Sequence, residues 1–278
     1  MMHSAVSTGA YLHHLQIGSP DPARLAAYYR DALQTQVSSV GGAILCTGPG
    51  RRTLFAPGQA GALQYSAFAC RDAQALAGLR AFVRDNGVAL EKSPSPLFGD
   101  DAFGVRDPEG NLMLFGLARE EAGAATGIRG PIQHVTVTST DLDRMEAFYA
   151  GKLGFAVSDR VRNDQGVVTT VFFRCNHEHH TLGCFLKTQA GLDHHSYEAG
   201  EWITIRDWAD HLATRRIPIV WGPGRHGPGN NLFIFIKDPD GNMIEISAEL
   251  EVVHDRPVKE WVHEPYTLNM WGPAIMRS

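Results

Sequence analysis

The stretch RHGPGNNLFIFIKDPDGNMIE, from Arg225 to Glu245, decides how the rest of the chain is read. A Gly/Pro-rich loop carrying His226 runs into a short apolar segment, Asn231 to Lys237, with two Phe and two Ile. Asp238-Pro239-Asp240-Gly241 has the composition of a turn, Pro fixing φ and Gly free to take positive φ. Asn242 to Ser247 then resumes as a strand, so the two segments form a hairpin. On the second strand Met243, Glu245 and Ser247 share one face, and Ile244 and Ile246 the other. A carboxylate between two β-branched apolar residues points either at solvent or into a pocket where something positive holds it.

Working outward, 278 residues are enough for two domains, each with its own core. With 44% hydrophobic and 20% charged residues the composition is that of a globular protein. A net charge of −5 offers no basic stripe for nucleic acid or an anionic membrane. No apolar run approaches the ~18 residues that span a bilayer, and MMHSAVSTGAYLHH lacks the pattern of a signal peptide. Cys46, Cys70, Cys175 and Cys184 form no CxxC pair, so free thiols and a cytoplasmic location are expected. Histidine is the anomaly: there are 13, most of them in the second half.

The chain repeats. His14-Leu-Gln-Ile-Gly-Ser-Pro-Asp21 is echoed 120 residues later by His134-Val-Thr-Val-Thr-Ser-Thr-Asp141, each a strand running into a Ser/Asp helix start. Leu25, Tyr28, Tyr29 and Leu33 then match Met145, Phe148, Tyr149 and Leu153, one apolar helix face in each copy. Asp107-Pro-Glu-Gly-Asn111 returns as Asp238-Pro-Asp-Gly-Asn242, 131 residues on, so the second copy has gained about eleven residues between landmarks.

Within the second copy we read a strand near 132–137, a helix near 141–153 and strands near 155–161, 167–174 and 180–186. A strand near 194–198, a helix near 207–216 and strands near 218–220, 232–237 and 242–247 follow. That is βαβββ written twice. The first copy fits with a helix near 72–86 between strands near 63–69 and 103–117. The expected fold is α+β: two tandem modules of paired βαβββ units, each a curved mixed sheet around a cleft. The modules span 1–120 and 130–250, joined through an Ala/Gly/Glu-rich linker over 116–130, with a tail at 251–278.

The difference between the copies carries the chemistry. The second offers His134, His195 and Glu245; the first has His14, Tyr65 and Leu114 at matching positions and reads as a structural partner. Two neutral imidazoles and one carboxylate are the donors of a non-haem Fe(II) facial triad, though Mn(II), Ni(II) and Zn(II) accept the same set.

These features resemble the vicinal oxygen chelate superfamily over nearly the whole chain. Within it, the two-module layout with an empty first module is similar to type I extradiol ring-cleavage dioxygenases, which open a catechol beside its hydroxyls with Fe(II) and O₂. The resemblance implies a second-sphere base about fifteen residues before the second ligand, met by His180, and a proton-donating histidine before the carboxylate strand, met by His226. Strand alternation and the spacing to His180 favour His195 over its neighbour His194 as the second ligand. The family's usual substrate-binding tyrosine, ten residues before the carboxylate, is Phe235 here; Tyr197 or Tyr266 would supply a replacement hydroxyl. Losing such a bond costs about 1–3 kcal/mol when the partner is buried.

Other features have plainer readings. Asp238 and Gly241 are turn chemistry; His13, His14, His177 and His179 have no expected catalytic role; Phe172, Phe173 and Phe233 read as core. The aromatic tail, with Trp261, Tyr266 and Trp271, either folds over the pocket mouth and stacks on substrate or forms an arm at a subunit interface. The expectation is an Fe(II)-dependent dioxygenase of an aromatic diol, acting with O₂ as a homo-oligomer. The alternatives are a glyoxalase-like lyase or isomerase working through an enediolate without O₂, and a non-enzymatic binding or resistance protein.

Overall fold

The computed structural model describes residues 4–119 and 127–276, so the linker expected over 116–130 lies partly outside the described residues. A 3-10 turn at Ala5–Thr8 precedes the first module. That module runs β1 (Tyr11–Ser19), α1 (Pro22–Leu33), β2 (Gln36–Val40), β3 (Ala43–Gly48) and β4 (Arg51–Pro57), then β5 (Leu63–Ala69), α2 (Ala73–Asp85), β6 (Glu91–Lys92), β7 (Phe103–Arg106) and β8 (Leu112–Gly116). The second runs β9 (Ile132–Ser139), α3 (Leu142–Glu146) continuing as a π-helical turn over Ala147–Lys152, β10 (Ala156–Arg162), β11 (Val168–Arg174) and β12 (Leu182–Leu186). Its second unit is β13 (Gly191–Gly200), α4 (Trp202–Thr214), β14 (Trp221–Arg225), β15 (Leu232–Lys237) and β16 (Met243–Ala248). The tail adds β17 (Lys259–Val262) and α5 (Pro265–Leu268).

The sheets are ordered β2-β3-β4-β1-β5-β8-β7-β6 and β14-β15-β16-β13-β9-β12-β11-β10-β17. Each is the expected pair of βαβββ units, fused where the first strands of the two units meet antiparallel, β1 on β5 and β9 on β13. The helix starts follow the sequence chemistry. Asp21, Asp72 and Asp141 each accept a hydrogen bond from the backbone three residues on, at 3.0, 2.7 and 3.0 Å.

Two expectations shift. The helix placed at 207–216 starts earlier, at Trp202, with Glu201 extended before it. The strand placed at 218–220 instead forms over Trp221–Arg225, the Gly/Pro-rich WGPGR that composition assigned to a loop. Pairing with β15 overrides its poor intrinsic strand propensity.

The modules lock through the repeated turn. In the first, Asp107 Oδ1 accepts the amides of Glu109 and Asn111, both at 2.9 Å, while Oδ2 accepts the Asn111 side chain at 2.8 Å. The same Oδ2 also accepts the Tyr149 hydroxyl of the second module at 2.8 Å. Glu109 accepts from Ser139 at 2.7 Å and from the Thr140 amide at 3.0 Å. Reciprocally, Asp238 builds the second turn, and its Oδ2 lies 3.4 Å from the Tyr29 hydroxyl of the first module. Asp240 takes Ser19 and Arg24. Gly110 and Gly241, at φ 88° and 92°, close both turns in a conformation L side chains rarely adopt. Each module's first helix therefore engages the other module's last hairpin.

Candidate metal centre

Three adjacent strands build the site. His134 lies on β9, His194 on β13 and Glu245 on β16. Ser196 pairs with both His134 and Glu245, so these side chains project from one sheet face, and His194, two residues earlier on β13, joins them. One ligand atom from each of His134, His194 and Glu245 lies within 4.8 Å of the other two, and all three residues are buried. His134 Nε2 is 3.0 Å from Glu245 Oε2, His194 Nε2 is 3.5 Å from that oxygen, and the two Nε2 atoms are 3.3 Å apart.

His195 is not in this group, which corrects the ligand set expected from the sequence. It faces the opposite side of the sheet, in register with buried Val135 and Ile244, and its Nε2 sits 2.9 Å from the Tyr29 hydroxyl. The sequence held the signal. Tyr197 and Ala199, of the same parity as His195, are apolar and buried, whereas His194, Ser196 and Glu198 make the polar face. The repeat points the same way: Tyr65 pairs with Gln16 as His194 pairs with Thr136, so Tyr65 is the counterpart of His194.

The donor set fits a divalent cation. His194 Nδ1 pairs with Asp193 Oδ1 at 2.7 Å, and His134 Nδ1 is 3.3 Å from Gln133 Oε1, so each ring presents Nε2 to the centre. Asn231 Nδ2 donates to Glu245 Oε1 at 3.1 Å and fixes the carboxylate. Burial alone would raise the Glu245 pKa, but the His134, His194 and His226 imidazoles hold it well below the usual range, so the carboxylate is ionised. Burial lowers the His134 pKa, partly offset by Glu245, which favours the neutral imidazole a metal needs.

Over these residues lies a pocket. Phe172, Phe185, Trp221 and Phe235 make its aromatic wall, and Thr267 and Leu268 of the tail complete it. His180 and His226 both line it. The His180 ring centroid lies 4.2 Å from that of His134, and burial, then the neighbouring His134 and His179, pushes its pKa well below the ordinary imidazole value. His226 stacks on Phe233 at 3.9 Å, its Nδ1 against the Leu268 carbonyl and its Nε2 3.6 Å from Glu245 Oε1.

Phe235 also lines the pocket, but the other expected substrate contacts do not. Tyr197 turns to the core and bonds Thr53 of the first module at 2.8 Å. Trp261 donates to Asp159 at 2.7 Å, and Tyr266 is 58% exposed outside the lining. Among the described residues no tyrosine lines the pocket, so neither candidate replaces the missing hydroxyl. Phe172, read as core, is wall instead; Phe173 and Phe233 are buried as expected. Asn231 and Asp193 escaped the sequence reading because short polar residues near strand ends carry no periodic signal, and Trp221 because it opens a Gly/Pro-rich segment read as loop.

The first module shows what replaces a site. His14 occupies the place of His134, but its Nε2 bonds Ser95 at 2.6 Å and Phe98 packs on it at 4.8 Å. Tyr65 donates to Gln16 at 3.0 Å, and Leu114 packs with Phe98, Ala102 and Leu112. A small core fills the cleft.

Beside the centre, Glu198 accepts from Gln133, and burial pushes its carboxyl up to about 7. Below pH 4.5 the group is protonated in both folded and unfolded chains. Between 4.5 and 7 the unfolded chain ionises first, so stability falls, and the loss is complete above 7. Glu198→Gln therefore raises the melting temperature at pH 8, and thermal scans repeated towards pH 4.5 show the gain vanish.

Two βαβββ pairs, one with its cleft filled and one with a buried set of candidate metal donors beneath an aromatic pocket, make the two-module fold expected from the sequence. The Glyoxalase/Bleomycin resistance protein/Dioxygenase superfamily model matches residues 131–246, the module that holds the triad. Metapyrocatechase 2 of Cupriavidus necator is 26% identical over 80% of this chain and 75% of its own length. An iron-dependent extradiol dioxygenase of Rhodococcus jostii is 26% identical over 81% of each. Among solved structures, homoprotocatechuate 2,3-dioxygenase from Brevibacterium fuscum superposes with a TM-score of 0.82 at 22% identity, over 95% of this chain and 89% of that one. A Mn(II)-bound glyoxalase from Novosphingobium aromaticivorans gives 0.79 at 25% identity, over 94% and 90%. Among the described residues no helix is long and apolar enough to cross a membrane.

Proposed function

We propose that this protein is a metal-dependent extradiol dioxygenase that opens the ring of an uncharged catechol with O₂. One observation carries the reading: a buried His134–His194–Glu245 cluster floors an aromatic pocket that two further histidines, His180 and His226, also line. The named relatives support it. Fe(II) is the favoured metal, and Mn(II) suits the same donors; a manganese-dependent 2,3-dihydroxybiphenyl 1,2-dioxygenase is also 26% identical over 52% of this chain. Bound there, the metal would supply Lewis acidity towards the diol and a path by which the diol's own electrons reach O₂.

The chain's own residues do the rest. The aromatic walls orient a flat ring and exclude water. His180, kept neutral by burial, accepts a proton from a diol hydroxyl. His226, its Nδ1 held by the Leu268 carbonyl, keeps Nε2, on the Glu245 side of the cluster, for proton transfer. Phe235 offers no hydroxyl, so orientation rests on ring packing.

Among the described lining residues there is no Lys or Arg to receive a carboxylate, and burying an unpaired charge is costly. Oxygen-electrode traces of the Fe(II)-loaded protein should show uptake with catechols, with kcat/KM at least about tenfold higher for an apolar-substituted catechol than for a carboxylated one, a difference of about 1.4 kcal/mol. The glyoxalase likeness raises a lyase or isomerase as the second reading. Turnover of a hemithioacetal without O₂ uptake would select it and sink the first. We further propose a cytoplasmic homo-oligomer, with the module and tail boundaries read from the sequence.

A further inference from the structure

His180 is backed by a buried chain of polar groups that reaches the C-terminal tail. Its Nδ1 lies 2.9 Å from Nδ1 of His179, whose Nε2 lies 3.0 Å from Asp159 Oδ2. His179 and Asp159 are fully buried and His180 nearly so. The tail holds the far end: Trp261 donates to Asp159 Oδ2 at 2.7 Å, and the Arg256 guanidinium pairs with Oδ1 at 2.9 Å. Arg256 is itself anchored on Glu251.

The proton positions follow from electrostatics. The Arg256 guanidinium already balances the Asp159 charge, so His179 needs no positive charge of its own, and of its two ring nitrogens the one 3.0 Å from the carboxylate oxygen, Nε2, carries the hydrogen, because a lone pair there would lie beside negative charge. His179 is then the Nε2–H tautomer with a lone pair on Nδ1. That lone pair, at 2.9 Å, accepts the Nδ1–H of His180 and leaves the lone pair of His180 on Nε2.

We propose that Asp159 and His179 are positioning residues that hold His180 in the Nδ1–H tautomer, with Nε2 as its proton-accepting atom, and that Trp261 and Arg256 make the tail part of this device. The functional half of this inference rests on His180 being the base assigned above; the tautomer itself does not. His179, expected from the sequence to play no part in catalysis, then acts through its neighbour.

The test begins with the unmutated chain, so no variant has to fold. Long-range proton–nitrogen NMR of histidine-labelled protein, loaded with diamagnetic Zn(II), should show His180 as the Nδ1–H tautomer at pH 7.5. His179→Leu should lose that signature. His179→Asn, whose Oδ1 can accept the same hydrogen, should retain it. In oxygen uptake His179→Leu should lower kcat by about 10–100-fold with KM little changed, and His179→Asn should recover most of the loss. An Nε2–H tautomer for His180 in the unmutated protein, or equal kcat losses in both variants, overturns the proposal. No catechol turnover with the tautomer present would instead overturn the dioxygenase reading alone.

Discussion

His194→Ala should lose its divalent metal on dialysis, whereas His195→Asn should keep it. Metal analysis of anaerobically prepared protein reads the difference directly. His194 contributes one of three ligand atoms lying within 4.8 Å of one another. Loss of even an outer-sphere partner of a metal ligand costs about 10–100-fold in affinity, and loss of the ligand itself costs more. His195 faces the other side of β13 and meets Tyr29, so its replacement touches the interface between modules and not the donors. Oxygen uptake should fall below detection in the first variant and persist in the second. The reverse pattern would restore the ligand set that alternation and spacing favoured in the sequence.

The largest stability effect should come from a turn. Asp238→Ala removes the acceptor for the amides of Asp240 and Asn242, for the Asn242 side chain, and for the more distant Tyr29 hydroxyl. Buried donors left without partners cost about 1–3 kcal/mol each. Relaxation and the released burial penalty of the carboxylate offset part of that sum, leaving a loss of about 3–5 kcal/mol. Urea unfolding followed by near- and far-ultraviolet circular dichroism checks the size, and shows whether the modules still melt together. Asp31→Ala, which breaks an exposed pair with Arg30, should shift stability by no more than about 0.5 kcal/mol.

The sequence carried the architecture because duplication prints its own alignment. Strand–Ser/Asp–helix and Asp-Pro-x-Gly-Asn recur at fixed places, and each recurrence is one structural element. His134 was legible from its place on the repeated first strand and Glu245 from the contrast with Leu114, as was the pocket position of His180, His226 and Phe235 from the resemblance. The second ligand was harder. In a strand, neighbours differ only by face, and a spacing carried over from a resemblance slips by one residue without a visible penalty. Parity against Tyr197 and Ala199 resolves it. Thr267 and Leu268 were not legible at all, because the tail reaches the pocket through contacts such as the Arg256–Asp159 pair, and no periodicity encodes those.

The crossed grip of Tyr29 and Tyr149 on the opposite hairpins has an evolutionary corollary. The first cleft can be filled by Phe98 without cost to this grip, because the contacts that join the modules lie at the helices and hairpins and not in that cleft. The half without donors is not dispensable for all that, because the donor cluster hangs from a hairpin whose turn carboxylate, Asp238, meets a helix of the first module. The inert copy persists as scaffolding for its twin.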